Sequence, residues 1–154
     1  MASRAFHFKN YSVVKGDIKV DIKLDRFEKQ FELAQKRLDQ AVMLSMEPFM
    51  PKQTGQFINV TKSQSKALEG SGTVVAAAPP QGRFLYEGKV MVDELTGSPW
   101  ARKGAKKVVT DRPLQYSKAA NPNATDHWFD AAKEKDVENW VNIVKETAGG
   151  GERG

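Results

Sequence analysis

The chain has 154 residues, enough for one domain with a substantial hydrophobic core. It contains no Cys, which excludes disulfides, thiolate metal sites and a cysteine nucleophile. The two histidines, His7 and His127, are too few for a multi-histidine metal site. A formal charge of +5 favours acidic partners or nucleic acid. No apolar run could span a bilayer and the N-terminus lacks a signal-peptide core, so we expect no membrane partner and no secretion.

The first part of the chain predicts an arm and then a strand. Residues 1–14 mix aromatic and polar side chains, which suits an arm or a first short strand. Gly16 and Asp17 form a predicted turn. Residues 18–24 then alternate between apolar and polar side chains, the pattern of a half-buried strand with Lys19, Asp21 and Lys23 facing water.

Residues 25–47 predict a long amphipathic helix. Asp25 is the predicted N-cap, Glu28 forms a weak capping box with it, and Pro48 and Pro51 end the pattern. The apolar residues, spaced three and four apart on one face, are Phe27, Phe31, Ala34, Leu38, Ala41, Val42 and Met46. The predicted solvent face carries Glu28, Lys29, Glu32, Lys36, Arg37 and Asp39.

The central part of the chain predicts a sheet against which this helix packs. After a turn at residues 52–55, residues 56–61 and 73–78 predict two antiparallel strands joined by a polar loop at residues 63–72. The segment 79–82 breaks the second strand, and residues 83–87 predict a helical turn that ends at Gly88. Further strands are predicted at residues 89–93 and, as an edge strand interrupted by Pro113, at residues 107–117.

A second helix begins at Asp126, with Thr125 or Asp126 as its cap. Its apolar side carries Phe129, Ala132, Val137, Trp140, Val141 and Val144. We therefore predict an α+β fold in which a long N-terminal amphipathic helix packs on an antiparallel sheet, with a C-terminal helix. The predicted organisation is an N-terminal arm at 1–16, a single domain at 17–147 with an inserted basic loop at 94–111, and a flexible tail at 148–154.

No group of residues predicts catalysis, so we expect neither an enzyme nor a cofactor or metal. Glu28 and Glu32 lie one helical turn apart, which favours a solvated face over a catalytic pair. No Ser or Asp matches His127, which favours a structural or interface role. The glycines fit neither a phosphate loop nor a dinucleotide fingerprint. Core positions are predicted for Met43, Met46 and Met50, and core or interface positions for Trp100, Trp128 and Trp140.

A short basic cluster surrounds Gly104 and contains Arg102, Lys103, Lys106 and Lys107. A solvated loop is the commoner outcome for so short a cluster. Contact with DNA phosphates or with an acidic partner surface is the functional alternative.

Several short motifs follow one another along the chain in a characteristic order. The first long helix leads into Pro51, Thr54 and Gly55, the segment 83–88 contains Tyr86 and Gly88, and Trp128 and Phe129 open the last helix. This order resembles that of the minor capsid, neck or tail-completion proteins of long-tailed bacteriophages, over residues 27–144. In that family a Pro-x-x-Thr-Gly turn, a Tyr-x-Gly and a Trp-Phe-x-x-Ala-Lys helix follow one another. Two features depart from the family: residues 79–82 replace its Tyr and Ala, and the insert at 94–111 is long.

The resemblance implies a structural virion protein at the head–tail junction, which joins the DNA-filled head to the tail. Such proteins form rings, commonly hexamers, between head-completion proteins and the tail-terminator or tail-tube proteins. The protein would be made in the host cytoplasm. The motif residues would serve folding: Pro51, Thr54, Gly55, Tyr86, Gly88, Trp128 and Phe129. The insert with Arg102, Lys103, Lys106 and Lys107 would contact passing DNA or a neighbouring ring.

Two alternatives from other classes stay open. A small basic nucleic-acid-binding protein would show salt-dependent affinity for DNA as a free monomer. A small enzyme would need a buried pocket with perturbed carboxylates, and no feature of the sequence indicates one.

Overall fold

Two long helices packed against each other dominate the fold, and two short β-hairpins accompany them. A computed structural model describes residues 8–65 and 69–149. Its elements are β1 (Tyr11–Lys15), β2 (Ile18–Ile22), α1 (Asp25–Met46), a 3₁₀ turn (Glu47–Phe49), α2 (Gln56–Gln64), α3 (Gly82–Glu87), β3 (Lys89–Asp93), β4 (Lys107–Pro113) and α4 (Trp128–Ala148). The predicted α+β class with a long N-terminal helix and a C-terminal helix is confirmed.

Helix α1 has the predicted extent, but its N-terminal cap differs from the prediction. Leu24 occupies the cap position and no side chain caps the helix, so the predicted Asp25 cap with a Glu28 capping box is wrong. Asp25 and Glu28 instead lie in the first turn, where negative charge complements the helix dipole. The Asn10 Oδ1 atom accepts the Leu24 N–H at 2.9 Å and so ties the residue before β1 to the helix start.

The main packing partner of α1 is helix α4 and not a sheet. The two strand pairs are separate two-stranded hairpins, too narrow to cover a helix of this length. Two side-chain hydrogen bonds join the helices: Trp140 Nε1 donates to Ser45 Oγ at 3.1 Å, and Arg37 Nη1 donates to Thr147 Oγ1 at 3.2 Å. The core contains the predicted methionines and two of the three tryptophans: Met43, Met46, Met50, Ile58, Trp128, Ala132 and Trp140.

Two carboxylates assigned to the solvent face of α1 are buried. Glu28 is 7% exposed and Asp39 is 3% exposed, so the solvated-face prediction is wrong for both. The Asp39 carboxylate accepts the Gly72 N–H at 2.8 Å and the Gln35 side-chain amide at 2.6 Å. It therefore holds the segment after α2 against α1, because a buried carboxylate needs hydrogen-bond donors.

The two strands predicted at residues 56–61 and 73–78 are wrong. The first is helix α2, and the second is irregular backbone that makes no ladder. Side chains satisfy its polar groups instead: the Ala78 N–H donates to Thr61 Oγ1 at 3.3 Å, and the Val75 N–H donates to Ser65 Oγ at 3.3 Å. This arrangement replaces a sheet because buried backbone groups can be paired by side chains as well as by strands. Part of the predicted loop at 63–72 lies outside the described residues.

Helix α3 and the β3–β4 hairpin match the predictions more closely. Helix α3 ends at Gly88 in the left-handed conformation, and the two strands pair antiparallel with Met91 opposite Val109. The edge strand is shorter than predicted and ends at Pro113, after which the Leu114 N–H donates to Gly88 O at 2.8 Å.

Helix α4 begins at Trp128, later than predicted. His127 holds the cap position with φ of 42°, so neither Thr125 nor Asp126 is the cap.

The structure has an N-terminal hairpin, which agrees with the first short strand that was one of the two alternatives for residues 1–14. Strand β1 pairs with β2 around the predicted turn at Gly16, so the boundary drawn after residue 16 falls inside the hairpin. The half-buried prediction for residues 18–24 is wrong for β2, because every residue of both strands is exposed. Residues 1–7 of the predicted arm and residues 150–154 of the predicted tail lie outside the described residues.

Candidate functional site

The predicted basic residues lie in the connection between β3 and β4, residues 94–106, and at the first residue of β4. This connection is called the β3–β4 loop below. Arg102 Nε lies 3.4 Å from Asp93 Oδ2, and Lys107 Nζ donates to Pro99 O at 2.9 Å. Lys103 and Lys106 are exposed. The four cations are therefore close in the chain but differ in role, since Arg102 and Lys107 bond within the loop.

Asp93 organises the β3–β4 loop, and sequence inspection did not single it out. Its side chain is buried at the end of β3. Oδ1 accepts the Leu95 and Thr96 N–H groups at 2.8 and 3.1 Å, and Oδ2 accepts the Arg102 N–H at 3.3 Å. These hydrogen bonds, led by the one from Leu95, hold the pKa of Asp93 well below its usual range. A carboxylate with this many local donors fixes the path of the loop.

Protonation of Asp93 is expected to loosen the β3–β4 loop only in strong acid. Because its pKa is lowered in the folded protein, its stabilising contribution is complete above about pH 4, the ordinary carboxyl range. The contribution is lost as the pH falls through the folded pKa. Amide protection factors and NMR shifts of Leu95 and Thr96 should therefore stay constant through the ordinary carboxyl range, about pH 4, and change only in stronger acid. The variant Asp93→Asn should loosen these amides at neutral pH, and amide shifts titrating at an ordinary carboxyl pKa would contradict the assignment.

The β3–β4 loop presents two large apolar side chains to solvent. Trp100 is 85% exposed and Leu95 is 79% exposed. The Trp100 N–H donates to Ser98 Oγ at 3.1 Å, and the Asp93 N–H donates to Ser98 O at 2.7 Å, so the backbone beneath Trp100 is held in place. An ordered loop that exposes a tryptophan beside cations is suited to recognition, because tryptophan and arginine dominate binding hot spots.

The β1–β2 hairpin carries a second exposed apolar surface, called the hairpin face below. Two of its cross-strand pairs are apolar, with Tyr11 opposite Ile22 and Val13 opposite Val20, and the third places Lys15 opposite Ile18. The other side of the hairpin is mainly polar, with Ser12 Oγ donating to Asp21 Oδ1 at 2.5 Å, although it also exposes Val14. The exposed apolar residues of the hairpin face are Tyr11, Val13, Ile18, Val20 and Ile22. The alternation of apolar and polar residues in 18–24 indicated an apolar face, but the prediction placed that face against the same chain.

The motif residues gather around Trp128, which is fully buried. Its ring packs edge-on against Phe57 and Tyr86, with centroids 5.8 and 4.9 Å away, and its Nε1 donates to Ala76 O at 2.9 Å. Phe129 stacks on Trp140 at 6.1 Å. Trp128 therefore joins α2, α3, α4 and the irregular segment 73–78, which agrees with a folding role for these motifs.

The remaining motif residues shape turns and close contacts. Gly55 precedes α2 with φ of 83°, a conformation that favours glycine, and Thr54 Oγ1 accepts the Gln56 N–H at 3.4 Å. A Cβ on Gly88 would lie 2.7 Å from the Asp126 Cβ. His127 donates its backbone N–H to Tyr86 O at 3.0 Å, and its ring lies beside the Tyr86 ring. These contacts support the structural interpretation of His127.

An open groove of about 670 Å³ runs between the segment after Pro51 and residues 114–117, which follow β4. Pro51, Phe57, Pro79 and Tyr116 are among its lining residues, and the described lining contains no carboxylate or imidazole. The Tyr116 hydroxyl donates to Leu85 O, and burial, with a smaller effect from Asp126, raises the pKa of Tyr116 to about 12. The groove therefore has no carboxylate–imidazole pair among the residues that line it.

Metal-binding groups and membrane-spanning helices are two further kinds of functional feature. Within residues 8–65 and 69–149, no group of three or more His, Asp or Glu residues is placed to bind a metal ion. In the same part of the chain, no helix combines the length and apolar character that crossing a bilayer requires.

Comparison with protein-family models, with curated proteins and with solved structures finds no match to this chain. The family resemblance carried by the short motifs therefore stays a proposal. Its support comes from the way those motifs and the exposed surfaces are arranged in this molecule.

Proposed function

We propose that the chain is a structural subunit of the head–tail junction of a long-tailed bacteriophage. Copies of the chain assemble into a ring, expected from the family resemblance to be a hexamer, which joins the DNA-filled head to the tail. Its neighbours are head-completion, tail-terminator or tail-tube proteins. The subunit acts through its surfaces and needs no catalytic residue or cofactor.

The hairpin face is the observation that carries this proposal. Each of its five apolar side chains is between 46% and 68% exposed. A lone two-stranded hairpin is at best marginally stable in water, and it gains stability when an apolar face is covered. The main contacts of β1 and β2 are with each other, so the covering surface is expected on another molecule. A subunit of a larger assembly has such neighbours, whereas a free monomeric protein does not.

A small basic nucleic-acid-binding protein is the second candidate. The exposed side chains of Trp100, Lys103 and Lys106 favour it, because ammonium groups contact phosphates and an indole ring stacks on bases. It ranks second because Arg102 and Lys107 already bond within the loop and because it leaves the hairpin face without a role. Affinity of the free monomer for DNA that falls steeply with salt would favour this candidate.

Replacing Val20 by Asp is expected to abolish or strongly weaken assembly. Val20 lies in the middle of the hairpin face, so the introduced carboxylate would have to lose its water in any contact there. We expect association, measured by sedimentation velocity and native mass spectrometry, to weaken at least about 10-fold. The protein would be measured alone and mixed with head-completion and tail-tube proteins.

Val14→Asp is the matched control, because Val14 is 66% exposed on the opposite side of the same hairpin. It makes the same chemical change and should leave association close to that of the parent chain. Location is tested separately by mass spectrometry of purified particles and antibody labelling in electron microscopy. A chain absent from the particles, or one that stays monomeric with every neck and tail protein, would refute the proposal.

A further inference from the structure

The β3–β4 loop is a basic, preorganised projection. Residues 94–106 contain three basic side chains and one acidic side chain. Trp100 and Leu95 are the most exposed large apolar residues among those described. Besides the bonds to Asp93, the Glu94 N–H donates to Lys106 O at 3.2 Å, and the Ala105 N–H donates to Arg102 O at 3.0 Å. A loop ordered before binding loses little conformational entropy when it docks.

Helix α4 carries a surface of opposite character. The helix has five acidic and three basic residues, although the whole chain has a net charge of +5. Val137 and Val141 are 37% and 45% exposed and lie one turn apart, so they share a side of the helix. Glu134 and Glu138, also exposed and one turn apart, flank them, and Asp130 precedes them by a turn. These five residues are called the α4 face below.

The α4 face is directed away from the protein core. Ala132, Trp140 and Thr147 are buried on the other side of the same helix. Lys133 lies a turn before Val137 and Lys145 a turn beyond Val141, but the five residues of the α4 face themselves carry three carboxylates and no cation. Two valines with carboxylates beside them complement a tryptophan with lysines beside it, both in polarity and in charge.

We propose that the β3–β4 loop of one copy docks on the α4 face of a neighbouring copy. Trp100 covers Val137 and Val141, and the Lys103 and Lys106 ammonium groups face the Glu134 and Glu138 carboxylates. This inference rests on the proposed ring function and names two surfaces that meet within it. Because the loop and the α4 face are different surfaces of one chain, the contact is head-to-tail and repeats from copy to copy, as a ring requires.

The test reverses the charges on each surface and then combines the two changes. Lys103→Glu with Lys106→Glu makes the loop acidic, and Glu134→Lys with Glu138→Lys makes the α4 face basic. Either pair alone brings like charges together, so we expect self-association in sedimentation velocity to weaken about 10-fold or more. The fourfold variant should recover association, and so should a one-to-one mixture of the two double variants, because each loop then meets an oppositely charged face.

Two further variants separate the contact from general effects. Trp100→Ala should weaken association without changing the folded state, since the side chain is 85% exposed. Lys52→Glu with Lys89→Glu introduces the same charge change at exposed lysines outside the loop and should leave association unchanged. Circular dichroism of every variant would verify that the fold is retained.

The outcomes separate the two proposals. If the parent chain assembles and the charge reversals weaken it without rescue by combination, or leave it unchanged, this contact is wrong while the ring proposal stands. If the reversed loop loses salt-dependent DNA affinity while self-association persists, the loop serves nucleic acid and the contact is again wrong. A parent chain that stays monomeric at the highest attainable concentration overturns this self-contact, whereas the ring function is judged by the particle location described above.

Discussion

Replacing Trp128 by Ala is expected to lower the free energy of unfolding by about 3–5 kcal/mol, the usual cost of deleting a buried tryptophan. Trp128 is 0% exposed, and its ring fills the space between Phe57 and Tyr86. The substitution also leaves the Ala76 carbonyl without its indole N–H donor. Urea unfolding followed by circular dichroism measures the change.

Trp100→Ala is the matched control for Trp128→Ala, since both variants delete an indole side chain. Trp100 is 85% exposed, so its loss should change the free energy of unfolding by no more than about 0.5 kcal/mol. Similar unfolding midpoints for the two variants would contradict the packing described here. The pair also separates stability from assembly, because only Trp100 lies on a surface proposed to bind a neighbour.

Replacing Gly82 by Ala is expected to destabilise the protein, although helix propensity alone predicts a gain of about 1 kcal/mol. Gly82 begins α3, and a Cβ there would lie 2.3 Å from the Ala77 carbonyl carbon and 2.7 Å from its oxygen. Both are backbone atoms that cannot rotate away. We therefore expect a loss of about 1–3 kcal/mol, as for other overpacked sites, measured as a lower urea midpoint.

Gly97→Ala provides the comparison for Gly82→Ala. A Cβ at Gly97 would meet no atom within 4 Å, but its φ of 66° is unfavourable for alanine. The free energy of unfolding should therefore fall by only about 1 kcal/mol, the cost of placing an alanine in this backbone conformation. A stabilised Gly82→Ala protein would mean that the segment 73–78 does not approach α3 as closely as the structure places it.

The core and the proposed interaction surfaces are separate parts of the molecule. Trp128 and Gly82 hold the segment 73–78 against α2, α3 and α4. Val20 lies on the hairpin face and Trp100 lies in the β3–β4 loop, and both are exposed. Core variants should therefore change the unfolding midpoint, and surface variants should change association. This division allows a loss of assembly to be distinguished from a loss of folding in a single set of proteins.

The sequence by itself determined the elements whose pattern is local. Helix α1 follows from a long three-and-four spacing ended by Pro48, and α3 follows from a short apolar run closed by Gly88. Strand β3 and the first part of β4 follow from β-branched residues between turns. The clustering of the four basic residues in and next to the β3–β4 loop was also predictable, because they are close in the chain.

Only the tertiary structure decided which surfaces are covered. Residues 56–61 belong to helix α2. Residues 73–78 form no strand, because Thr61, Ser65 and Trp128 pair with backbone groups of this segment from other parts of the chain. Asp39 is buried because the Gly72 N–H reaches it from 33 residues away. A period-two pattern reports that one side of a strand is apolar, but it does not report whether the same chain or another molecule covers that side. The exposure of the hairpin face and the role of Asp93 in the loop depend on such contacts, and therefore came from the structure alone.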